Sequence, residues 1–222
     1  MRDSKRYVVL KAMGIGGFGG VVIERLLPMR IPGLGFVIMD TDIHHDTLVR
    51  ARCPNKIRLG PDKGLWQSSV RSAQMDAENN RDIIERMLFG AHTVFLIAGM
   101  GGTIGTGATP VVAGIAKRMN IKTVSIVSMP LECEGKPRMD KALKAVDELR
   151  GLTGRVVTML QILDNEILET MLFTDILKQR ENAVCRYIQD LAKEYIGDWQ
   201  KKKLKFKIRS KIQELELLPA VI

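Results

Sequence analysis

The run Thr93-Val94-Phe95-Leu96-Ile97-Ala98-Gly99-Met100-Gly101-Gly102-Thr103-Ile104-Gly105-Thr106-Gly107-Ala108-Thr109-Pro110 decides how this chain is read. Thr93 to Ala98 is β-branched, aromatic or apolar throughout, the composition of a buried strand. The glycines that follow, five in nine residues from Gly99 to Gly107 with threonines between them, open onto a helix-period segment, Gly107–Met119. A strand, a glycine turn and a helix N-terminus in that order make an anion site. Backbone N–H groups approach an oxyanion without a side chain in the way, and the helix end adds partial positive charge. No GxxxxGK[ST] pattern occurs in the chain, so this turn is not a P-loop.

A second turn of the same kind lies upstream. Gly14-Ile15-Gly16-Gly17-Phe18-Gly19-Gly20 follows the strand candidate Tyr7–Ala12 and matches GxGxxG, with Asp40 about twenty residues further on. Alone, that pattern fits an NAD(P)-binding Rossmann oxidoreductase equally well. Two glycine turns at one sheet edge fit a nucleotide with a longer phosphate tail. Further strands are expected at Gly35–Asp40, Lys56–Leu59, Thr123–Val127 and Val156–Leu160, and helices at Gly17–Leu27, Ser69–Leu88, Met139–Gly151 and Ile167–Ile196. This alternation predicts an α/β, Rossmann-like domain, a parallel sheet with helices on both faces.

The chain has 222 residues, 45% of them hydrophobic and 27% charged, which excludes a disordered or fibrous protein. No window reaches the roughly 18 consecutive apolar residues of a membrane span, and the opening Met1-Arg2-Asp3-Ser4-Lys5-Arg6 is not a secretory leader. Cys53, Cys133 and Cys185 are an odd number without CxxC spacing, which places the chain in a reducing cytoplasm. His44-His45-Asp46 reads as a polar turn, not a metal cluster. The net charge of +9 is concentrated in Gln200–Lys211, where seven residues are Lys or Arg and none is acidic, leaving about +2 elsewhere. Leu204, Phe206 and Ile208 alternate with basic residues there, the pattern of a strand exposed on one face, and Gln213–Leu218 reads as a short helix. The expected division is a domain over 1–197, including the long helix, and a basic tail over 198–222. The tail suits a lysine-protected edge, an anionic membrane or an acidic protein, with nucleic acid a weaker candidate.

In order and spacing, several segments resemble the FtsZ/tubulin nucleotide-binding domain, the FtsZ branch more than tubulin. They are Gly14–Gly20, Asp40-Thr41-Asp42, Gly99–Pro110 with Val111-Val112-Ala113, Glu134-Gly135-Lys136-Pro137-Arg138, and Asp164-Asn165-Glu166-Ile167-Leu168. The resemblance implies a GTP or GDP site, with Mg2+ as companion, and descent from self-assembling cell-division filaments. It places Gly16, Gly17, Gly19, Gly20 and Asp40 by the first turn, and Gly101, Gly102, Thr103, Gly105, Thr106 and Gly107 round the terminal phosphates. Glu134 would meet the ribose, Arg138 the phosphates, and Asp164 the ribose side. Asp175 would read guanine, because a carboxylate accepts both the N1–H and the 2-amino hydrogen that adenine lacks. The partner it implies is another copy, or a complete FtsZ homologue, bound through the nucleotide face.

The departures carry as much information. Thr103 stands for the family's third glycine, Ile104 for the next threonine, and Val21 for the asparagine after the first turn, all of which lower the expected phosphate affinity. The γ-phosphate loop is replaced by Gly64-Leu65-Trp66-Gln67-Ser68-Ser69-Val70, the Asn-Asp pair is inverted at Asp164-Asn165, and Phe173 lies only near the position of the base-stacking aromatic. The long helix is expected to end at Gly197-Asp198-Trp199 without the acidic Asn-x-Asp-x-x-Asp loop that hydrolysis needs in the family, and without its second domain. No residue is assigned as catalytic. The resulting expectation is a nucleotide-binding protein with little GTPase activity alone, serving as a regulator or cap of assembly. A scaffold that no longer binds nucleotide is the other alternative. No Ser-His-Asp or Cys-His nucleophile pattern is present.

Overall fold

The computed structural model describes residues 8–41, 47–60, 69–158 and 173–216. Six strands, β1 (Leu10–Ile15), β2 (Leu34–Asp40), β3 (Lys56–Arg58), β4 (Thr93–Gly99), β5 (Lys122–Ser128) and β6 (Arg155–Thr158), form one sheet in the order β3-β2-β1-β4-β5-β6. Every pairing is parallel. A strand buried on both faces has no polar side, which is why central β4 reads as a continuous apolar run, whereas the edge strands β3 and β6 carry exposed basic residues.

Alternate residues serve two cores. Val94, Leu96 and Ala98 join Met13 and Ile15 beneath α3 (Val70–Asn79), α4 (Arg81–Leu88), α5 (Thr103–Arg118) and α6 (Lys136–Leu152). Phe95 and Ile97 join Leu10 and Ala12 beneath α1 (Gly16–Leu26), α2 (Thr47–Arg50) and α7 (Phe173–Glu216). From α7 come Val184, Ile188 and Leu191, the stripe expected from helix-face spacing.

Four expectations change. The first strand lies three residues later than Tyr7–Ala12, so Gly14 is a strand residue paired with Ile38 and Ile97. The helix expected over Ser69–Leu88 is two, because Asn80 adopts φ −92°, ψ 14° and ends α3 before α4 begins. Ser69 caps α3 in a reciprocal box with Ser72. The second glycine turn is shorter than read, since α5 already starts at Thr103 and takes Pro110 into its interior. Finally, the long helix does not stop at Gly197: α7 runs unbroken for 44 residues to Glu216, replacing the expected strand at Leu204–Ile208. Lys, Gln, Leu and Glu dominate that stretch and favour helix. One interior glycine costs only about 1 kcal/mol against them. Met159 and Leu160, His44-His45-Asp46 and Gly64–Ser68 lie outside the described residues.

Candidate crevice at the strand ends

The strand order reverses between β1 and β4, and at such a switch point the connections leave in opposite directions and open a crevice beyond the carboxyl ends of the strands. Both glycine turns follow these two strands. Gly16 has φ +73°, a conformation glycine adopts without penalty, and a Cβ placed there would lie 3.3 Å from the Gly105 amide nitrogen and 3.4 Å from Ile104 Cβ. The two turns therefore abut. Phe18 bridges them as well, its Cβ lying 3.1 Å from where a side chain on Gly99 would begin.

The glycines divide by role. A side chain at Gly19 would run into the Ile97 carbonyl, one at Gly105 into that of Gly99, and one at Gly107 into that of Val70. These three let α1 and α5 press onto the sheet and α3 onto α5. Gly20 is buried. Gly17, by contrast, has nothing within 4 Å of its absent Cβ. Gly101, at φ +85°, and Gly102, the residue before α5, form the other turn.

Around that turn stand the polar groups. The Gly101 N–H donates to Thr106 Oγ1 at 2.8 Å, so this buried threonine braces the turn from within. Thr109 donates to the Gly105 carbonyl at 2.5 Å, one turn back in α5. Arg138 lies over the turn: its Cγ is 2.7 Å from where Gly101 would carry a side chain, and its Nη2 is 4.0 Å from the same point on Gly102. Its Nε pairs with Glu134 Oε2 at 3.1 Å, while Glu134 Oε1 accepts from the Leu131 N–H at 2.8 Å. Thr103 begins α5, and Ile104 packs against the core, its methyl group filling the junction of the two turns where a hydroxyl was implied.

Asp40 closes β2 with its side chain turned inward; it is 6% exposed and accepts from the Thr41 N–H at 2.8 Å. Asp175 sits in the first turn of α7, where helix polarity favours a carboxylate, and pairs with Lys178 at 3.6 Å. Asp164, with Asn165, lies outside the described residues. Beside Gly17 and Gly20 opens a cavity of about 650 Å³, lined also by Val21, Glu24, Arg25 and Arg52. Its charges are paired: Glu24 with Arg52 at 3.1 Å, and Arg25 with Glu181 of α7 at 2.7 Å.

One residue went unread in the sequence. Arg180 of α7 is 2% exposed and donates from Nη1 to the Met129 carbonyl at 3.1 Å. Burial lowers its pKa, opposed mainly by the Glu134 carboxylate. The available signal was its position, since it falls between Leu177 and Val184 on the apolar stripe of the helix.

A parallel sheet in this order, with glycine turns after both strands of its switch point, puts the chain in the Rossmann-like class of α/β domains. Residues 9–172 match the Tubulin/FtsZ family, GTPase domain, and the chain belongs to that family. It is 35% identical over 190 residues to the cell division protein FtsZ of Coxiella burnetii, covering 82% of this chain and 48% of that protein. To the FtsZ of Porphyromonas gingivalis it is 36% identical over 169 residues, covering 74% and 36%. Thus it spans between about a third and a half of the curated relatives it matches. Among solved structures, the empty FtsZ dimer of M. jannaschii superposes with a TM-score of 0.76 at 27% identity, covering 85% of this chain and 55% of that one. The GDP-bound CetZ1 monomer of Haloferax volcanii, at 15% identity and TM-score 0.67 over 81% of this chain and 58% of that one, shares the fold.

Proposed function

We propose that this chain binds a guanine nucleotide, GTP or GDP, in the crevice between β1 and β4. The observation that carries the reading is the meeting of the two turns: Gly16 stands against the Gly105 amide while Arg138 overhangs Gly101-Gly102. Two abutting glycine turns with one guanidinium over the second supply backbone amides and a cation at one sheet edge, the donor set an oligophosphate requires. Glu134 serves the ribose side, and Asp175 reads the base. The dinucleotide alternative depends on Asp40 as a ribose acceptor, but that carboxylate is buried and engaged with the Thr41 amide.

We further infer weak GTPase activity for these residues alone. Water activation needs a placed acceptor. No Asn-x-Asp-x-x-Asp segment occurs in the sequence, and Gly197-Asp198-Trp199 lies inside α7, not on a loop. Association through the nucleotide face, with another copy or a complete FtsZ homologue, follows as a regulating or capping role, tested by sedimentation with such a homologue and GTP. The basic segment of α7 is assigned to an anionic membrane or an acidic protein, and flotation with anionic vesicles tests it.

The deciding experiment is a thermal-shift titration with GDP, GTP, ATP and NAD at constant magnesium, on the protein and on Asp175→Ala. A ligand at a hundred times its Kd adds about 2.7 kcal/mol, which in a domain of this size raises the midpoint by about 5–10 °C. A guanine-selective shift lost in Asp175→Ala supports the proposal. A shift with NAD alone favours the dinucleotide reading, and indifference to every nucleotide favours the scaffold.

A further inference from the structure

The guanidinium over the second turn is held by one carboxylate, and both oxygens of that carboxylate are engaged. Glu134 is the last residue of the short 3-10 turn Glu132–Glu134; its N–H donates to the Leu131 carbonyl at 3.0 Å, and its Oε1 accepts from the Leu131 N–H at 2.8 Å. Those two bonds close a ring and fix the carboxylate to the connection that leaves β5. The other oxygen, Oε2, meets Arg138 Nε at 3.1 Å. Pairing through Nε leaves the Nη groups of the guanidinium for other acceptors, and Nη2 lies 4.0 Å from where a side chain on Gly102 would begin. The stem is packed as well, with Arg138 Cγ 2.7 Å from the same point on Gly101.

A long side chain at the mouth of a crevice is not placed by its own rotamers. That of Arg138 is 51% exposed, and without a partner it would sample many conformations that an arriving anion must then order. Ordering it beforehand spares that entropy. We propose, resting on the nucleotide reading, that Glu134 is a positioning residue: beyond the ribose side assigned to it, its carboxylate holds the Arg138 guanidinium over Gly101-Gly102 with the Nη groups left for the terminal phosphates. A carboxylate is required because the role needs two acceptor atoms at once, one for the Leu131 N–H and one for Arg138 Nε. A glutamine amide has one oxygen and carries a donor in place of the other, so it can serve only one of them. The expected sign is contrary to simple charge. A carboxylate beside an anion site repels the ligand, yet here its removal weakens binding.

The test is a double-mutant cycle on the full chain, read by calorimetric titration with GDP and with inorganic pyrophosphate. Glu134→Gln is expected to weaken both by about three- to fivefold, the upper part of the range for a partly exposed ion pair, although pyrophosphate carries no ribose. In an Arg138→Gln background the same change is expected to move either affinity by less than about twofold. If Arg138→Gln binds too weakly to measure, Arg138→Lys takes its place, since lysine keeps the charge but lacks the fork that meets a carboxylate and a phosphate side by side. Unchanged or tighter pyrophosphate binding by Glu134→Gln, with GDP weakened, would show a ribose contact alone and would overturn the proposal, as would equal losses in both backgrounds. If Glu134→Gln does not fold by circular dichroism, Glu134→Asp enters the same cycle with the same expectation, its carboxylate being one methylene short of the two partners. Failure of GDP to bind the unaltered protein while pyrophosphate binds removes the nucleotide reading and leaves the pyrophosphate cycle to decide this inference; if neither binds, both fall.

Discussion

Replacing Gly101 by alanine tests the tight turn directly. At φ +85° an L-residue carries a penalty of roughly 1–2 kcal/mol. The new methyl would also lie 2.7 Å from Arg138 Cγ, 2.7 Å from Pro130 Cγ and 2.8 Å from the Arg138 carbonyl oxygen. The arginine stem can turn aside, but a proline ring and a helical carbonyl cannot, so overpacking of about 1–3 kcal/mol is added. The expected destabilisation of about 2–5 kcal/mol is a large part of the 5–15 kcal/mol that holds a domain together. In urea, with a slope of about 2–3 kcal/mol per molar, the midpoint should fall by about 1–2 M. Gly17→Ala is the control. With nothing within 4 Å of the added methyl, it should leave the midpoint unchanged or slightly higher, while narrowing the open side of the crevice and weakening GDP. Unchanged unfolding of Gly101→Ala would refute the geometry argued for the second turn. Coincident effects of the two variants would refute the division of the glycines by role.

Other outcomes follow from the same structure. Ile104→Thr keeps the Cγ2 methyl at the junction of the turns and puts a hydroxyl in place of the Cγ1–Cδ1 arm; it should tighten GDP a few-fold in calorimetry, while costing about 1–3 kcal/mol of stability for the two carbons lost from the partly buried side chain. Arg25→Ala removes the α1 to α7 pair with Glu181, and because Arg25 is 38% exposed the change in a urea midpoint should correspond to no more than about 1 kcal/mol. The Cys185 thiol, enclosed by α1 and α7, has its pKa pushed up to about 11 by burial, so the native state keeps this proton after the unfolded chain has lost it. Its contribution is therefore complete below about pH 8.5 and declines up to about pH 11, by at most about 1.4 kcal/mol per pH unit for one thiol in urea titrations. Native alkylation at pH 8 should modify exposed Cys133 first and leave buried Cys53 and Cys185 until urea is added, as read by mass spectrometry.

The sheet was legible chiefly from β4, which is enclosed on both sides and announces itself as an apolar run, and from the buried carboxyl half of β2; β1 was displaced, since Lys11 and the glycines after it blur where the strand ends. Helix interiors were legible for the same periodic reason, and their ends were not. Asn80 breaks a continuous pattern through two backbone angles, and α5 starts among residues that look like loop until Gly105 is seen against the Gly99 carbonyl. The site was legible as a pair of glycine turns but not in its division of labour. A glycine with open space beside it and one pressed by a neighbouring backbone are the same letter, and only the packing of the Ile97 carbonyl tells Gly19 from Gly17. The basic stretch misled because alternation of Leu204, Phe206 and Ile208 satisfies a strand, whereas the backbone follows the helix-forming lysines around them. Arg180 stayed hidden since nothing in one sequence marks which charge on a helix faces inward.

At 1.5 Å per residue, the 44 residues of α7 make a rod of about 66 Å. Asp175 lies near one end, and Lys201 to Arg209 lie 26 to 34 residues further on, about 40–50 Å along the axis. The backbone of that basic stretch is therefore held at a set standoff from the crevice, as by a spacer bar. One insertion of a few residues after Gly197 would change both that distance and, at about 100° per residue, the rotation of everything beyond it about the helix axis.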